Sequence, residues 1–324
     1  MDQPGTAPNA RTGAGAVLGA AREYGVLFIL ILLAAALSIA SPPFFSGTNF
    51  LNILDQNASL GIVAAAATLV IVGGGFDLSV GSIYALAGVI AALVANRYGV
   101  PLGFLAGVLC GLALGILNGL LITLGRINTF IATLASSIAI LGVAQVVTGG
   151  FLITVTNPAF ANLGNGMVLG IADPIWLFIL FAIFAAFLLA RTTFGRWVYA
   201  VGGNTEAARF SGVRVDFIRV ATFALSGFAA GLAGIIDASR ISQGESNVGS
   251  SLALTSIAAV VLGGTSIMGG EGAVWRTMVG MLLLALIGNG FNLLNVNTTY
   301  QQIAEGLIIV IAVVVDAYSR RRRT

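Results

Sequence analysis

The chain has 324 residues, of which 58% are hydrophobic and 8% are charged, with a formal net charge of +3. A soluble domain carries about a quarter charged residues, so this composition excludes an ordinary water-soluble protein. The chain has no Lys, no His and a single Cys. This excludes an ordinary phosphate-binding loop, the usual zinc sites and His-based catalytic triads. Cys110 lies in an apolar run and is interpreted as a small core residue.

Long uncharged stretches predict α-helical membrane spans, because about 20 apolar residues cross a bilayer as a helix. The fold class is therefore an all-α, polytopic membrane bundle of about ten helices. We expect a disordered cytoplasmic tail over 1–22, a single transmembrane domain over 23–319 and a basic cytoplasmic tail over 320–324. A cleaved secretory signal ending near Ala40 is the alternative for the first span. The predicted spans are 24–41, 51–72, 80–96, 101–124, 128–148, 174–190, 215–240, 252–263, 273–295 and 300–318.

The arginines predict the topology. With the N-terminus in the cytoplasm, thirteen of the fifteen arginines fall inside and only Arg97 and Arg240 fall outside. This bias follows the positive-inside rule and predicts that both termini are cytoplasmic. The run at 320–323 is interpreted as an anchor near anionic headgroups rather than as a nucleic-acid patch.

A small-residue stripe marks the predicted fourth span. Its glycines recur every fourth residue and so line one helix face, at Gly103, Gly107, Gly111, Gly115 and Gly119. Small residues at this spacing let helix backbones approach closely in lipid. The stripe predicts a helix inside the bundle, with either static packing or a sliding contact.

Two glycine-rich segments, 73–82 and 263–272, interrupt the apolar pattern. Non-helical backbone at membrane depth persists only where protein or a water cavity satisfies it. Asp77 or Ser79 can cap the helix that follows. The segments are either capped turns or moving cytoplasmic gates. The candidate residues are Gly74, Gly75, Asp77, Ser79, Gly81, Gly263, Gly264, Gly269 and Gly270.

Polar side chains inside spans tend to face the bundle interior. They either line a polar pathway or form hydrogen bonds between helices. Asp237 and Arg240, one turn apart near the outer surface, are predicted to form an ion pair. The candidate pathway residues are Thr129, Thr133, Ser137, Asn289, Asn292, Gln302 and Glu305.

The segment 191–214 is the longest charged cytoplasmic loop. Thr205 followed by Glu-Ala-Ala favours a short helix that Gly212 ends, and Phe210 and Val213 are then available for docking. A simple amphipathic connector is the alternative.

This loop carries a family resemblance. Glu206-Ala207-Ala208-x-x-x-Gly212 matches the core of the EAA motif by which ABC-importer permeases contact their ATPase, although no Leu-Pro follows as in the fuller motif. The stretch 194–212 resembles permeases of monosaccharide importers of the ribose, xylose and galactose type. Residues 75–82 resemble that family's Gly-Ile-Asp-Leu-Ser-Val-Gly-Ser signature, with Phe for Ile, and segments 258–266, 289–294 and 301–303 resemble its C-terminal half. The resemblance spans about residues 50–316.

The resemblance implies a permease of the bacterial inner membrane that is not itself an enzyme. It implies a cytoplasmic ABC ATPase holding ATP and Mg²⁺, a periplasmic sugar-binding protein, and a second permease copy, identical or related. This chain is expected to have no catalytic residue, metal or cofactor and no nucleic-acid partner. The implied mechanism is alternating access, transmitted through Gly203, Asn204, Glu206, Ala207, Ala208, Phe210, Ser211 and Gly212.

Two rival classes differ in what they require. An ion-coupled carrier or channel would need buried carboxylates near mid-membrane, for which Glu305 is the only fair candidate. A membrane-embedded enzyme would need reactive groups that the composition largely lacks. The sugar stays open from the sequence: a pentose, a hexose, a polyol or a signalling sugar all fit.

Overall fold

The computed structural model describes residues 13–297, 299–304, 306–307 and 310, and nearly all of its regular structure is helical. The helices are α1 (Gly13–Ala40), α2 (Gly47–Gln56), α3 (Ala58–Val72), α4 (Val80–Tyr98), α5 (Val100–Gly125), α6 (Thr129–Thr148), α7 (Asn162–Asn165), α8 (Asp173–Arg191), α9 (Thr193–Gly203), α10 (Thr205–Phe210), α11 (Val215–Ile241), α12 (Leu252–Leu262) and α13 (Val274–Leu293). Short 3₁₀ turns occupy Pro42–Phe45 and Pro158–Ala161. Four two-residue strands complete the fold: β1 (Ile153–Thr154), β2 (Met167–Val168), β3 (Ile171–Ala172) and β4 (Gln243–Gly244).

Six helices in the described part of the chain are long and apolar enough to cross a membrane: α4, α5, α6, α8, α11 and α13. The α2–α3 pair makes a seventh candidate, but it bends by 54° and so corrects the single straight span predicted at 51–72. The bend lies at Asn57, which ends α2 and whose side chain donates to the Ile53 carbonyl at 2.9 Å. The chain is thus a multi-pass helical membrane protein, while the total of about ten spans stays a prediction.

The remaining predicted spans have shorter counterparts or lie partly outside the described residues. The apolar part of the first helix, Gly25–Ala40, and α12 are shorter apolar helices. The first helix begins at Gly13, inside the segment 1–22 that the sequence predicts to be a disordered tail. Most of the predicted span 300–318, and the basic tail after it, lies outside the described residues.

Helix α3 forms the centre of the bundle. All of its residues except Leu60 are buried, and it packs against α8, α11, α12 and α13. A helix that is apolar on every face belongs in the interior of a bundle, and α3 follows this rule.

The glycine stripe of α5 packs between α4 and α11. A Cβ on Gly107 would lie 2.7 Å from the Ala87 carbonyl oxygen, and one on Gly111 would lie 2.4 Å from the Gly227 oxygen. These approaches are possible only because the α5 face consists of glycines. The opposite face of α5 exposes leucines such as Leu105 and Leu109, as a lipid-facing surface requires.

The chain after α11 turns back along α4. Strand β4 pairs antiparallel with β1, with Ile153 opposite Gly244. A Cβ on Gly244 would lie 2.8 Å from the Val89 Cα, so this strand lies directly on α4. The segment 242–251 is therefore held against the bundle rather than extended away from it.

Candidate functional site

Residues 73–79 form an unwound segment between α3 and α4. Its backbone is satisfied from α6: the Phe76 amide donates to the Thr129 hydroxyl at 3.2 Å, and the Leu78 amide donates to the Thr133 hydroxyl at 3.1 Å. Thr133 is fully buried. Two residues proposed as pathway lining thus make the hydrogen bonds that an interior non-helical backbone needs.

Neither Asp77 nor Ser79 caps α4, which corrects that prediction. Ser79 precedes α4 in a right-handed helical conformation, with no side-chain cap bond. Asp77 Oδ1 instead accepts from both the amide and the hydroxyl of Ser79, and Asn118 donates to that hydroxyl at 2.7 Å. All three side chains are buried, so they lock the segment internally and tie it to α5.

The second unwound segment, 263–273, joins α12 to α13. Its backbone reverses at Gly264, Gly269 and Gly270, whose φ angles of +77°, +86° and +73° favour glycine. The Gly270 amide donates to the carbonyl of Val72, the last residue of α3, at 2.8 Å. The second unwound segment is therefore in direct backbone contact with the end of α3, where the first unwound segment begins.

The end of α9 meets both unwound segments. A Cβ on Gly202 would lie 1.8 Å from the Val72 oxygen and 2.7 Å from the Gly270 nitrogen. A Cβ on Gly269 would lie 2.9 Å from the Gly74 Cα, and one on Gly270 would lie 2.8 Å from the Gly203 Cα. We call this cluster the glycine junction: Gly74, Gly202, Gly203, Gly269 and Gly270.

Tyr199 fastens α9 to the second unwound segment. Its hydroxyl donates to the Gly272 carbonyl at 2.6 Å. Burial raises the pKa of Tyr199, against the opposing charge of Arg276, so the phenol keeps the proton that this bond requires.

Helix α10 follows α9 after Asn204 alone. The Asn204 side chain accepts from the Ala207 amide at 2.9 Å and caps α10. Gly212 follows the helix with a φ of +84°, so the short helix and its glycine stop occur as predicted. Glu206, Ala207 and Ser211 are exposed.

Ala208 and Phe210 of α10 lie on opposite sides of the helix. Ala208 is buried against the bundle, whereas Phe210 is 91% exposed. Arg219 of α11 donates to the Thr205 hydroxyl at 3.4 Å, and an exposed Arg209–Asp216 ion pair at 3.3 Å adds little. A large aromatic side chain in this setting is available to a partner protein.

The other pathway candidates lie elsewhere. Asn289 exchanges two hydrogen bonds with Asn49, at 2.9 and 3.1 Å, which joins α13 to α2. Asn292 and Gln302 are exposed, and Glu305 lies outside the described residues. The structure therefore does not bring the α6 candidates and the α13 candidates together. Thr129, Thr133 and Asn289 instead form hydrogen bonds between segments, which was the alternative to lining a polar pathway.

The ion pair predicted near the outer surface is confirmed, with an additional partner. Arg240 Nη1 lies 3.4 Å from Asp237, and its Nη2 lies 2.9 Å from Asp55. The link from α11 to α2 was not predicted, because it joins residues that are far apart in the chain. The sequence also gave no prediction that Gly202 and Tyr199 belong to the site, for the same reason. The Gly-Gly pair at the end of α9 was the only local signal for a close approach of the backbone there.

The fold and this site define a class of protein: a multi-pass helical membrane protein in which a short, mostly exposed helix is joined to two unwound segments. Residues 49–313 match the family described as "Branched-chain amino acid transport system / permease component". The chain belongs to this family of transport permeases and, as its relatives indicate, to the sugar-importing ABC permeases within it.

Three relatives illustrate the similarity. The ribose import permease RbsC of Haemophilus influenzae is 43% identical over 302 residues, covering 91% of this chain and 93% of that protein. RbsC of Escherichia coli K12 is 40% identical over 299 residues, covering 91% and 93%. The L-arabinose ABC transporter permease AraH of Azospirillum brasilense is 38% identical over 310 residues, covering 95% and 91%. No solved structure matches the chain significantly.

Proposed function

We propose that this chain carries a monosaccharide across the bacterial inner membrane by alternating access, driven by a separate ATPase. The working complex contains two permease copies, identical or related, a cytoplasmic ABC ATPase with its ATP and Mg²⁺, and a periplasmic sugar-binding protein. Both termini lie in the cytoplasm. The observation that carries the proposal is the glycine junction, which links the predicted ATPase-contact helix to both unwound segments.

The junction gives a short mechanical route. Phe210 and the exposed face of α10 form the contact with the ATPase. A movement of α10 passes through Asn204 to Gly202 and Gly203. Because no side chain separates these glycines from Val72 and Gly270, close packing leaves no slack, and the end of α3 and the second unwound segment must move together.

The names of the relatives support a proposal for the substrate class. Those proteins are named as permeases for ribose and for L-arabinose. We infer that this chain carries a neutral pentose or a related monosaccharide.

A pair of substitutions at one position tests the coupling. Gly212 has a φ of +84° with no atom near a prospective Cβ, so only backbone strain opposes substitution. Asn tolerates this conformation and Val does not. In proteoliposomes with the ATPase and binding protein, Gly212→Val should lower uptake of ribose or L-arabinose at least tenfold, and Gly212→Asn should retain most of it. Equal uptake in both variants would contradict the role of α10.

Two further experiments test the coupling: reversing the charge of Glu206 and leaving out the ATPase. Glu206→Lys places a positive charge at the start of α10, where the helix dipole favours a negative one, and should also reduce uptake. Uptake that persists in vesicles without the ATPase would refute the proposal and favour an ion-coupled carrier.

A further inference from the structure

A cavity of about 300 Å³ lies between the end of α2, α4, α11 and the segment 242–251. It is near the lower limit of small-ligand sites, roughly 300 to 1,000 Å³. Its polar lining comes from residues on four separate parts of the chain: Gln56, Tyr84, Asp237, Arg240, Gln243 and Glu245.

One side of the cavity is a fixed frame. The Tyr84 hydroxyl donates to Asp237 Oδ2 at 2.7 Å, and Arg240 pairs with Asp237 and with Asp55. Arg240 also donates to the Asp55 carbonyl at 3.0 Å. Charge-assisted bonds of this kind hold their side chains in one arrangement.

The other polar groups have unmet hydrogen-bonding capacity. Within the described part of the chain, the exposed Gln56 and the half-buried Gln243 and Glu245 make no side-chain hydrogen bond to protein, and Arg240 Nε is buried without a partner. Two amides, a carboxylate and a guanidinium N–H offer both donors and acceptors. A ligand that carries several hydroxyl groups matches this set, because each hydroxyl both donates and accepts.

The charge of the cavity narrows the ligand class. Asp237 and Glu245 line the cavity with two carboxylates, against the single guanidinium of Arg240, which also pairs with Asp55. A surplus of negative charge repels anions, so a phosphorylated sugar is disfavoured and a neutral one is accepted.

A second cavity of about 240 Å³ lies next to the first, and Tyr84 lines both. It is lined further by Ser251 and Thr255, at the start of α12. Helix α12 has 11 residues, about 16 Å at 1.5 Å per residue, and leads directly into the second unwound segment. The second cavity therefore lies at the start of the helix that leads to the second unwound segment.

We propose that the first cavity is the site where a neutral monosaccharide contacts this permease during translocation, with Gln56, Gln243 and Glu245 as its hydrogen-bond partners. The proposal rests on the proposed transport function. Under this proposal the cavity, and not Asn289, Asn292 and Gln302, lines the pathway. The permease itself then selects against phosphorylated sugars.

Cysteine protection tests the cavity without requiring ATP turnover. In the assembled complex with Cys110→Ala, a small neutral thiol reagent should modify Val248→Cys, because Val248 lines the cavity but is not one of the proposed hydrogen-bond partners. Ribose or L-arabinose at tens of millimolar should slow that reaction at least threefold, whereas ribose 5-phosphate should not. The control is Thr156→Cys, which is exposed and does not line the cavity. Equal rates with and without both sugars would overturn the proposal, and so would equal protection by ribose 5-phosphate.

Measurements of sugar uptake distinguish a failure of the cavity proposal from a failure of the transport proposal. Gln56→Leu and Gln243→Leu should each lower the uptake rate at saturating loaded binding protein by about tenfold, through lost hydrogen bonds. Asn52→Leu is the matched control, an amide one turn earlier on α2 that does not line the cavity. Amounts of inserted complex are compared in every case. If the wild-type complex takes up neither sugar, the transport proposal fails and the protection assay decides the cavity. If both leucine variants keep uptake within twofold of an active wild type, only the cavity proposal fails.

Discussion

Gly202→Ala is the substitution that the structure predicts to damage coupling most directly. Its Cβ would lie 1.8 Å from the Val72 oxygen, and real Cβ contacts essentially never fall below 3.0 Å. The backbones must therefore separate by about 1 Å, and such overpacking costs about 1–3 kcal/mol. The hydrogen bond from Gly270 to Val72 lies at the same place, and its loss adds about 1 kcal/mol. The gain in helix propensity from Gly to Ala, at most about 1 kcal/mol, leaves a net cost of about 1–3 kcal/mol.

The cost falls on the contact between α9 and the two unwound segments, so coupling should fail before folding does. The purified complex with Gly202→Ala should still contain the ATPase, because α10 and Phe210 are untouched. Its hydrolysis should respond weakly to loaded binding protein, and its melting temperature in detergent should be lower than that of the wild type.

The neighbouring glycine provides the matched control. A Cβ on Gly203 would have no atom within 4 Å, so Gly203→Ala should keep the wild-type melting temperature or raise it slightly. The reasoning would be refuted if Gly202→Ala melted and transported as the wild type does. It would also be refuted if Gly203→Ala were equally damaging.

Three further predictions concern other parts of the molecule. Thr133→Val removes the acceptor for the Leu78 amide and should lower the melting temperature, at a cost of about 1–3 kcal/mol in the free energy of unfolding. The control Ser137→Ala, which removes no hydrogen bond seen in the described residues, should leave the melting temperature unchanged. Equal melting temperatures for the two variants would contradict the role of α6. Phe210→Ser should weaken ATPase binding about ten- to hundredfold without changing the melting temperature of the free permease, as titration with purified ATPase would measure. A reporter fused after Ser319 should be cytoplasmic and one inserted near Pro158 periplasmic; finding both on one side would overturn the topology.

The sequence by itself determined the class of protein and most of the helix boundaries. Apolar stretches long enough for a bilayer give strong local signals, so α4, α5, α6, α8 and α11 begin and end within two residues of the predicted spans. The sequence signals for the short helix at 205–210 and for its end at Gly212 are also local, because helix caps and left-handed glycines depend on neighbouring residues. The motifs at 75–82 and 206–212 carried the family assignment, which the comparisons confirm.

Only the tertiary structure decided what the polar residues and glycines contact. A Thr hydroxyl on an apolar helix can either line a polar pathway or accept a hydrogen bond from a backbone amide. Thr129 and Thr133 accept such bonds because the 73–79 segment lies beside them. The glycine junction joins residues near 74, 202 and 270, and the first cavity joins residues near 56, 84 and 240. These contacts connect parts of the chain that share no local periodicity. They depend on how the helices pack, which the pattern of any single segment does not specify.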